Sequence, residues 1–559
     1  MKRILSVLLV IALMMGLFTG CAKKTESTPT VEPTTNTKTN SEAGSTAAGD
    51  KMLRIAVDVA LPSADQDVAT DGLSFDVIAS MIEGLYSLDA DGNVIPGIAT
   101  DYTVSGDGLV YTFNLRDAQW SNGTSVTAND FVYSWRRLVD PNVASEYSFI
   151  AEVAGLKNAG PVTAGEMPLT DLGVEAKDDK TLVVTLERPV PYFLSLTAFA
   201  TFFPLNEAFV TEMGDGYAQS PESLIANGPF KMVEWNKGYG FKLLKNETYY
   251  DADAVAIDGL DYRVIKDNQT SALKFDSNEI DMVKLTSELV DNYKENPAYT
   301  QIDASYVWYV SMNNDNEIFS NVNARKALQH AINKDNIVKN ILNDGSTTAN
   351  FIVPTGLATG PDGKDFRETS KNDYGLYDVT MAQKYWETAK TELGMTEVSI
   401  EILFDDAETV KKMAEFIQAE LETNLPGLTV SLKSQPKKNR LELMRSGDFQ
   451  VGLTRWGPDY ADPLTYLELF LTGVTSNTPN FSNEKYDENI IASSTTMAGD
   501  AEGRWAAMKE AEDILLDQYA GIAPLYQAGY SYLINTKVTG IEPHAIGTPF
   551  IYKNVKIAD

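Results

Sequence analysis

Cys21 is the only cysteine among 559 residues. No disulfide can staple any part of this chain, so its fold must be held by a hydrophobic core of its own. About 510 residues follow position 50, enough for two or three domains around a large core. Where the cysteine stands is equally informative. Lys2 and Arg3 precede an unbroken uncharged, mostly apolar run, Ile4 to Gly20, and Cys21 closes it. A charged start followed by an apolar stretch is a secretory signal, residues 1–20.

A bare cleavage signal needs no cysteine. At this position a cysteine is where a lipoprotein signal is cut and lipidated. Phe18-Thr19-Gly20 fits that pattern except at Phe18, where Leu is usual. The run is shorter than the ~20 apolar residues of a membrane span. Residues 21–50 are mostly Thr, Ser, Asn, Ala and Pro with almost no large apolar groups. Such a stretch buries too little surface to offset its ordering entropy, and it reads as a disordered tether. Its reach as a coil is roughly 30 Å. The expected location is extracytoplasmic, with the body anchored to the cell membrane through lipid on Cys21 and in no other way.

The formal net charge is −32. Residues 1–50 do not cause it, holding five Lys/Arg and four Asp/Glu. A body this acidic is a poor partner for nucleic acid, whose binding relies on phosphate neutralisation. Most of the acidity is solvated surface. The two histidines, His330 and His544, belong to no HExxH, and GxSxG, GxxxxGK[ST] and GxGxxG after a strand are missing as well. His330 lies in the helical pattern NARKALQHAINKDNI and reads as structural. Adjacent acids such as Asp405-Asp406 are expected by chance among 78 Asp and Glu. No metal, cofactor or catalytic residue is expected.

Periodicity gives an alternating plan. Lys51–Val59 reads as a strand and Ser74–Leu85 as a helix with Phe75, Ile78, Ile82 and Leu85 on one face. Leu109–Arg116 is a half-buried strand on which Tyr111, Phe113 and Leu115 alternate with polar or smaller residues. Thr127, three residues before Asp130, begins a helix over Ala128–Val139 in the manner of a capping box. Thr181–Leu186 and Ala304–Asn313 are strands, and a helix lies near Ala324–Ala331. Strand Val398–Phe404, helix Glu408–Leu421, strand Leu428–Leu432, helix Asn439–Arg445 and strand Gln450–Arg455 continue the order. The class is α/β with mixed sheets.

The block WSNGTSVTANDFVYSWRRLVDP, Trp120 to Pro141, resembles a segment shared by the peptide-binding lipoproteins of ABC importers, extracellular solute-binding family 5, and the oligopeptide binders in particular. The likeness continues through Asn142–Phe149, Thr170–Phe193, Asn227–Trp235, Asn313–Ile337 and RWGPDYADPLTYL, Arg455–Leu467. It implies a three-lobed, periplasmic-binding-protein-like (type II) fold with a hinged cleft. Lobe I would combine 51–91, 205–306 and 528–559; lobe II would be 92–204 and lobe III 307–527.

The same resemblance implies a binder of oligopeptides. Asp459 takes the place of the acid that holds the ligand's N-terminal ammonium. Backbone from Arg455 to Gly457 would pair with the ligand as a strand, and Trp456 would be a pocket wall. Tyr306-Val307-Trp308-Tyr309 aligns with another lining segment, in which alternation admits one face only; Tyr309 fits the family position better. Tyr147 and Tyr526 are further wall candidates. Leu453 stands where some relatives carry an arginine, and Arg455, on the same strand parity, either substitutes for it or is a solvated strand end. Ser63, Ala64 and Asp65 match poorly a loop that adds strand pairing in relatives. The expected partners are an oligopeptide and the transmembrane subunits of a permease, with the protein a monomer. The same fold also serves binders of dipeptides, oligosaccharides and metal complexes. An anchored hydrolase with a carboxylate pair, or a sensor or adhesin, is the rival reading.

Overall fold

The computed structural model describes residues 51–558 except Asp91 and Ala545. The expected signal, the tether and Cys21 lie outside the described residues. Lys51–Asp559 forms one compact unit.

The first strand, Met52–Val57, pairs in parallel with Gly259–Val264 along its whole length and touches Met282 at Ile55. Segments remote in sequence thus share one sheet from its first member. That sheet runs in the order Leu428–Gln435, Val398–Asp405, Val451–Trp456, Tyr299–Met312, Ile522–Ile534, Met282–Leu285, Met52–Val57, Gly259–Val264, Gly240–Lys245, Phe230–Asn236. Its two long central members, Tyr299–Met312 and Ile522–Ile534, are antiparallel, and their register shifts between Asp303 and Val307. A bulge of this kind bends a strand and sharpens its twist.

A second, four-stranded antiparallel sheet has the order Ala99–Val104, Val110–Leu115, Thr181–Thr185, Val174–Asp178. The helix Ala128–Leu138 accompanies it. It starts as expected from the capping box of Thr127 and Asp130, and buries Phe131, Trp135 and Leu138. Trp135 also donates its indole N–H to the Phe202 carbonyl at 2.8 Å, so its polar atom is not stranded in the core.

Observed elements follow the expected ones closely, with one clear shortening. The first helix is Gly72–Met81, capped by Asp71, which accepts from the Ser74 N–H. It stops short of Leu85, although Ile82 and Leu85 are buried as expected. Ile82 is extended, at φ −121 and ψ 135. The Glu83 N–H goes to Asn227 Oδ1 at 3.0 Å instead of a helical carbonyl. Gly84 lies so near Phe203 that a Cβ would stand 2.6 Å from that ring. Tertiary contacts override the local pattern here. His330 sets a ring nitrogen 2.6 Å from the Leu376 carbonyl and stacks on Tyr385, a structural position.

Candidate functional site

The strand Val451–Trp456 is central to the site. One edge pairs with Tyr299–Met312 as far as Trp456 opposite Val307. The other edge pairs with Val398–Asp405 only at Val451 and Gly452. From Leu453 onward that edge has no strand partner among the described residues. Its outward N–H and C=O groups are a template for an added strand.

Three expected residues, Arg455, Tyr306 and Tyr526, gather with Trp308 on one face of the sheet here. The Arg455 guanidinium lies 5.4 Å from the Tyr306 ring and 5.2 Å from that of Trp308. Trp308 stacks on Tyr526 at 5.9 Å. Tyr306, 40% exposed, lies flush on Gly457, where a Cβ would stand 2.3 Å from the ring. Only glycine leaves room for that approach. Tyr309 points the other way. It is buried and meets Phe470 edge-on at 6.0 Å. The alternation expected along this segment is present, and Trp308, not Tyr309, is the one beside Arg455. Trp456 is half-buried; its indole N–H has no partner.

Asp459 follows two residues after Gly457. Its backbone N–H donates to Thr465 Oγ1 at 3.2 Å. Three residues on, Asp462 receives both guanidinium nitrogens of Arg504, at 2.8 and 3.0 Å, and pins the loop. The Asp459 carboxylate has no hydrogen-bond or ion-pair partner among the described residues. Burial alone pushes its pKa up to about 7. An unpaired carboxylate in a desolvated place is costly unless a cation arrives.

Two cavities meet this region. The first, of ≈ 840 Å³, is lined by Asp459, Tyr460 and Tyr192. The second, of ≈ 490 Å³, is lined by Lys284, Tyr530, Asp58 and Asp71. Tyr147 links them. Its hydroxyl pKa is raised by burial, then by Asp459 of the first cavity, then by Tyr306 and by Asp71 of the second. Its ring packs against Phe75, Phe149 and Phe199.

Lys284 was not singled out from the sequence. Its ammonium stands 3.4 Å from the centre of the Tyr530 ring. Solvent reaches it, yet surrounding protein desolvates it and lowers its pKa to about 8. Neither Lys284 nor Arg455 has an ion-pair partner among the described residues; Lys284 feels the charges of Asp58 and Asp344 ahead of that of Arg455. A lone cation in the apolar strand Met282-Val283-Lys284-Leu285 was the available signal. The region is therefore polarised, with an unpaired acid at Asp459 and unpaired cations at Arg455 and Lys284. That arrangement complements a zwitterion lying along the open strand edge. Ser63 and Asp65 serve a different purpose: Asp65, with Asp67, binds Arg137, and the Ser63 hydroxyl meets the Asp65 backbone.

The sequence model described as bacterial extracellular solute-binding proteins, family 5 Middle, matches residues 93–478. A dipeptide-binding protein of Lactococcus lactis subsp. cremoris is 34% identical over 531 residues, covering 92% of this chain and 96% of the relative. The substrate-binding domain of an oligopeptide ABC transporter from Bacillus anthracis, known from its crystal structure, is 41% identical with a TM-score of 0.76, covering 92% of this chain and 99% of that one. Listeria monocytogenes OppA bound to peptide is 38% identical with a TM-score of 0.74, covering 92% and 100%. The mixed α/β fold is shared with these proteins.

Proposed function

The chain belongs to the bacterial extracellular solute-binding proteins of family 5, and on that footing we propose that it captures oligopeptides outside the cytoplasm and delivers them to the permease of an ABC importer. The observation that carries this reading is the unpaired Asp459 carboxylate beside a strand edge left open from Leu453 onward. The ligand adds a strand to that edge through its main chain, with its side chains leaving on alternate sides. Its ammonium sits at Asp459, and its carboxylate faces Arg455 and Lys284. Charge-assisted hydrogen bonds of this kind are about twice as strong as neutral ones.

The protein performs no covalent chemistry on its ligand. It works as a monomer, tethered through a lipidated Cys21 after removal of residues 1–20. Its three lobes are 51–91 with 205–306 and 528–559, 92–204, and 307–527. The bulge between Asp303 and Val307 supports a hinge near the boundary of the first and third. Lobes joined by such strands close on ligand as rigid bodies.

Native mass spectrometry of protein purified from its host, with ligand retained, tests the reading. Intact peptides of several residues are expected to accompany the protein, and the permease to co-purify. Recovery of carbohydrate, of a metal complex or of peptide cleavage products would contradict it.

A further inference from the structure

The cavity that opens at Asp459 is larger than an ammonium group requires. Its volume is ≈ 840 Å³, and none of Arg455, Trp456, Gly457 or Tyr306 lines it. It therefore extends from Asp459 away from the open strand edge. Its charges are unbalanced. Arg504 is paired with Asp462 at 2.8 Å, and Lys553 with Asp251 at 2.8 Å. No cation pairs with Glu83, Asp365, Glu368 or Asp459 among the described residues, and Glu83 feels Lys553 and Arg116 only through space.

A second observation is independent of charge. Trp505 and Thr548, each 7% exposed, line the same cavity, and the indole N–H and the hydroxyl have no hydrogen-bond partner. Gly360, also in the lining, leaves the indole edge uncovered, since a Cβ there would stand 2.9 Å from Nε1. Buried polar atoms without partners mark places where a ligand or the water it brings completes the bonding: the Thr548 hydroxyl can accept from a cation directly, and the indole N–H, a donor only, takes a water or a ligand carbonyl. Tyr192 and Tyr460, stacked on each other, complete an aromatic wall.

We infer that this cavity receives the side chain of the ligand's first residue and that the preferred class is peptides beginning with lysine or arginine. The inference rests on the peptide reading above, with the amino end at Asp459. The α-ammonium then occupies Asp459, and the second cation enters a compartment whose remaining acids Glu83, Asp365 and Glu368 have no ion-pair partner among the described residues. An acidic first residue meets like charge there, and an apolar one gains the aromatic wall but no charge.

The test uses calorimetric titration of the full chain with alanine peptides of two to six residues whose first residue is Lys, norleucine or Glu. At whichever length binds, Lys-led peptides are expected to bind about tenfold more tightly than norleucine-led ones, with Glu-led ones weakest. The Lys-to-norleucine ratio is expected to fall towards one in Glu83→Gln and to fall partly in Glu368→Gln, whose exposed side chain keeps an acceptor for the Asp365 N–H. Equal binding of Lys- and norleucine-led peptides, or an unchanged ratio in both variants, would overturn the inference and leave the peptide reading standing. Binding of no peptide at any length would remove both.

Discussion

Tyr192 lies flat on Tyr460, with ring centroids 4.0 Å apart and planes at 14°. Tyr460 is the residue after Asp459, and its hydroxyl donates to Glu468 at 3.1 Å. Among the described residues this is the one aromatic contact between 92–204 and 307–527, and no ion pair joins those segments. The stack therefore couples the segment carrying Tyr192 to the loop that presents the proposed ammonium site. Replacing Tyr192 by alanine is expected to weaken peptide binding by about fivefold, from an aromatic pair worth roughly 1 kcal/mol beyond its area. The loss should appear in the dissociation rate measured by stopped flow, with Tyr192→Phe close to the parent.

Gly457 and Tyr306 support a second prediction. Gly457→Ala places a Cβ within 2.3 Å of the Tyr306 ring, and that ring, being 40% exposed, can swing away. Little stability is lost, less than about 1 kcal/mol. The ring then leaves its place under Arg455, so peptide affinity should fall about tenfold. Thermal unfolding and calorimetry separate the two effects.

Lys284 and Arg455 are expected to read the ligand's carboxylate. A peptide amide should bind about tenfold less tightly than the same peptide acid. In the double variant Lys284→Met, Arg455→Met the ratio should approach one. If the amide binds the parent as well as the acid does, the carboxylate is recognised elsewhere or not at all.

Buried carboxylates set the pH dependence of stability without ligand. Burial raises Asp459 and Glu468 to about 7 and Asp130 to about 6. Carboxyls in the unfolded chain titrate near 4, so between about pH 4 and 7 the folded state binds more protons than the unfolded one. Stability from these groups is full below their unfolded values and is lost as pH rises through 6 to 7. Lys334, lowered by burial to about 7, acts in the opposite sense only above that value. The ligand-free protein should melt several degrees higher at pH 5.5 than at pH 7.5. Asp459→Asn should raise the pH 7.5 midpoint by about 2 °C while changing the pH 5.5 midpoint less. Differential scanning calorimetry measures both.

Much of this fold was legible in the sequence where local rules decide. The capping box at Thr127 and Asp130 and the alternation through Tyr111, Phe113 and Leu115 act within a few residues and appear where periodicity put them. The premature end of the first helix was not legible, because it depends on Asn227, 144 residues from Glu83. For the same reason alternation separated Trp308 from Tyr309 without telling which faces Arg455. That choice is made by the neighbouring strand and by Phe470. Asp459 was found through a resemblance; as a residue it is an acid after Gly-Pro like many turn acids. Lys284 was missed because its role depends on Tyr530 and Arg455, which only the assembled sheet brings beside it.

The central claim is that one carboxylate, Asp459, receives the free amino end of a peptide. Calorimetric titration with a peptide and its N-acetylated twin, into the parent protein and into Asp459→Asn, tests it most directly. The account predicts that acetylation weakens binding to the parent by at least about thirtyfold, a charged hydrogen bond of roughly 2 kcal/mol. It also predicts that acetylation makes almost no difference to the variant. Equal binding of the two peptides to the parent protein would contradict it.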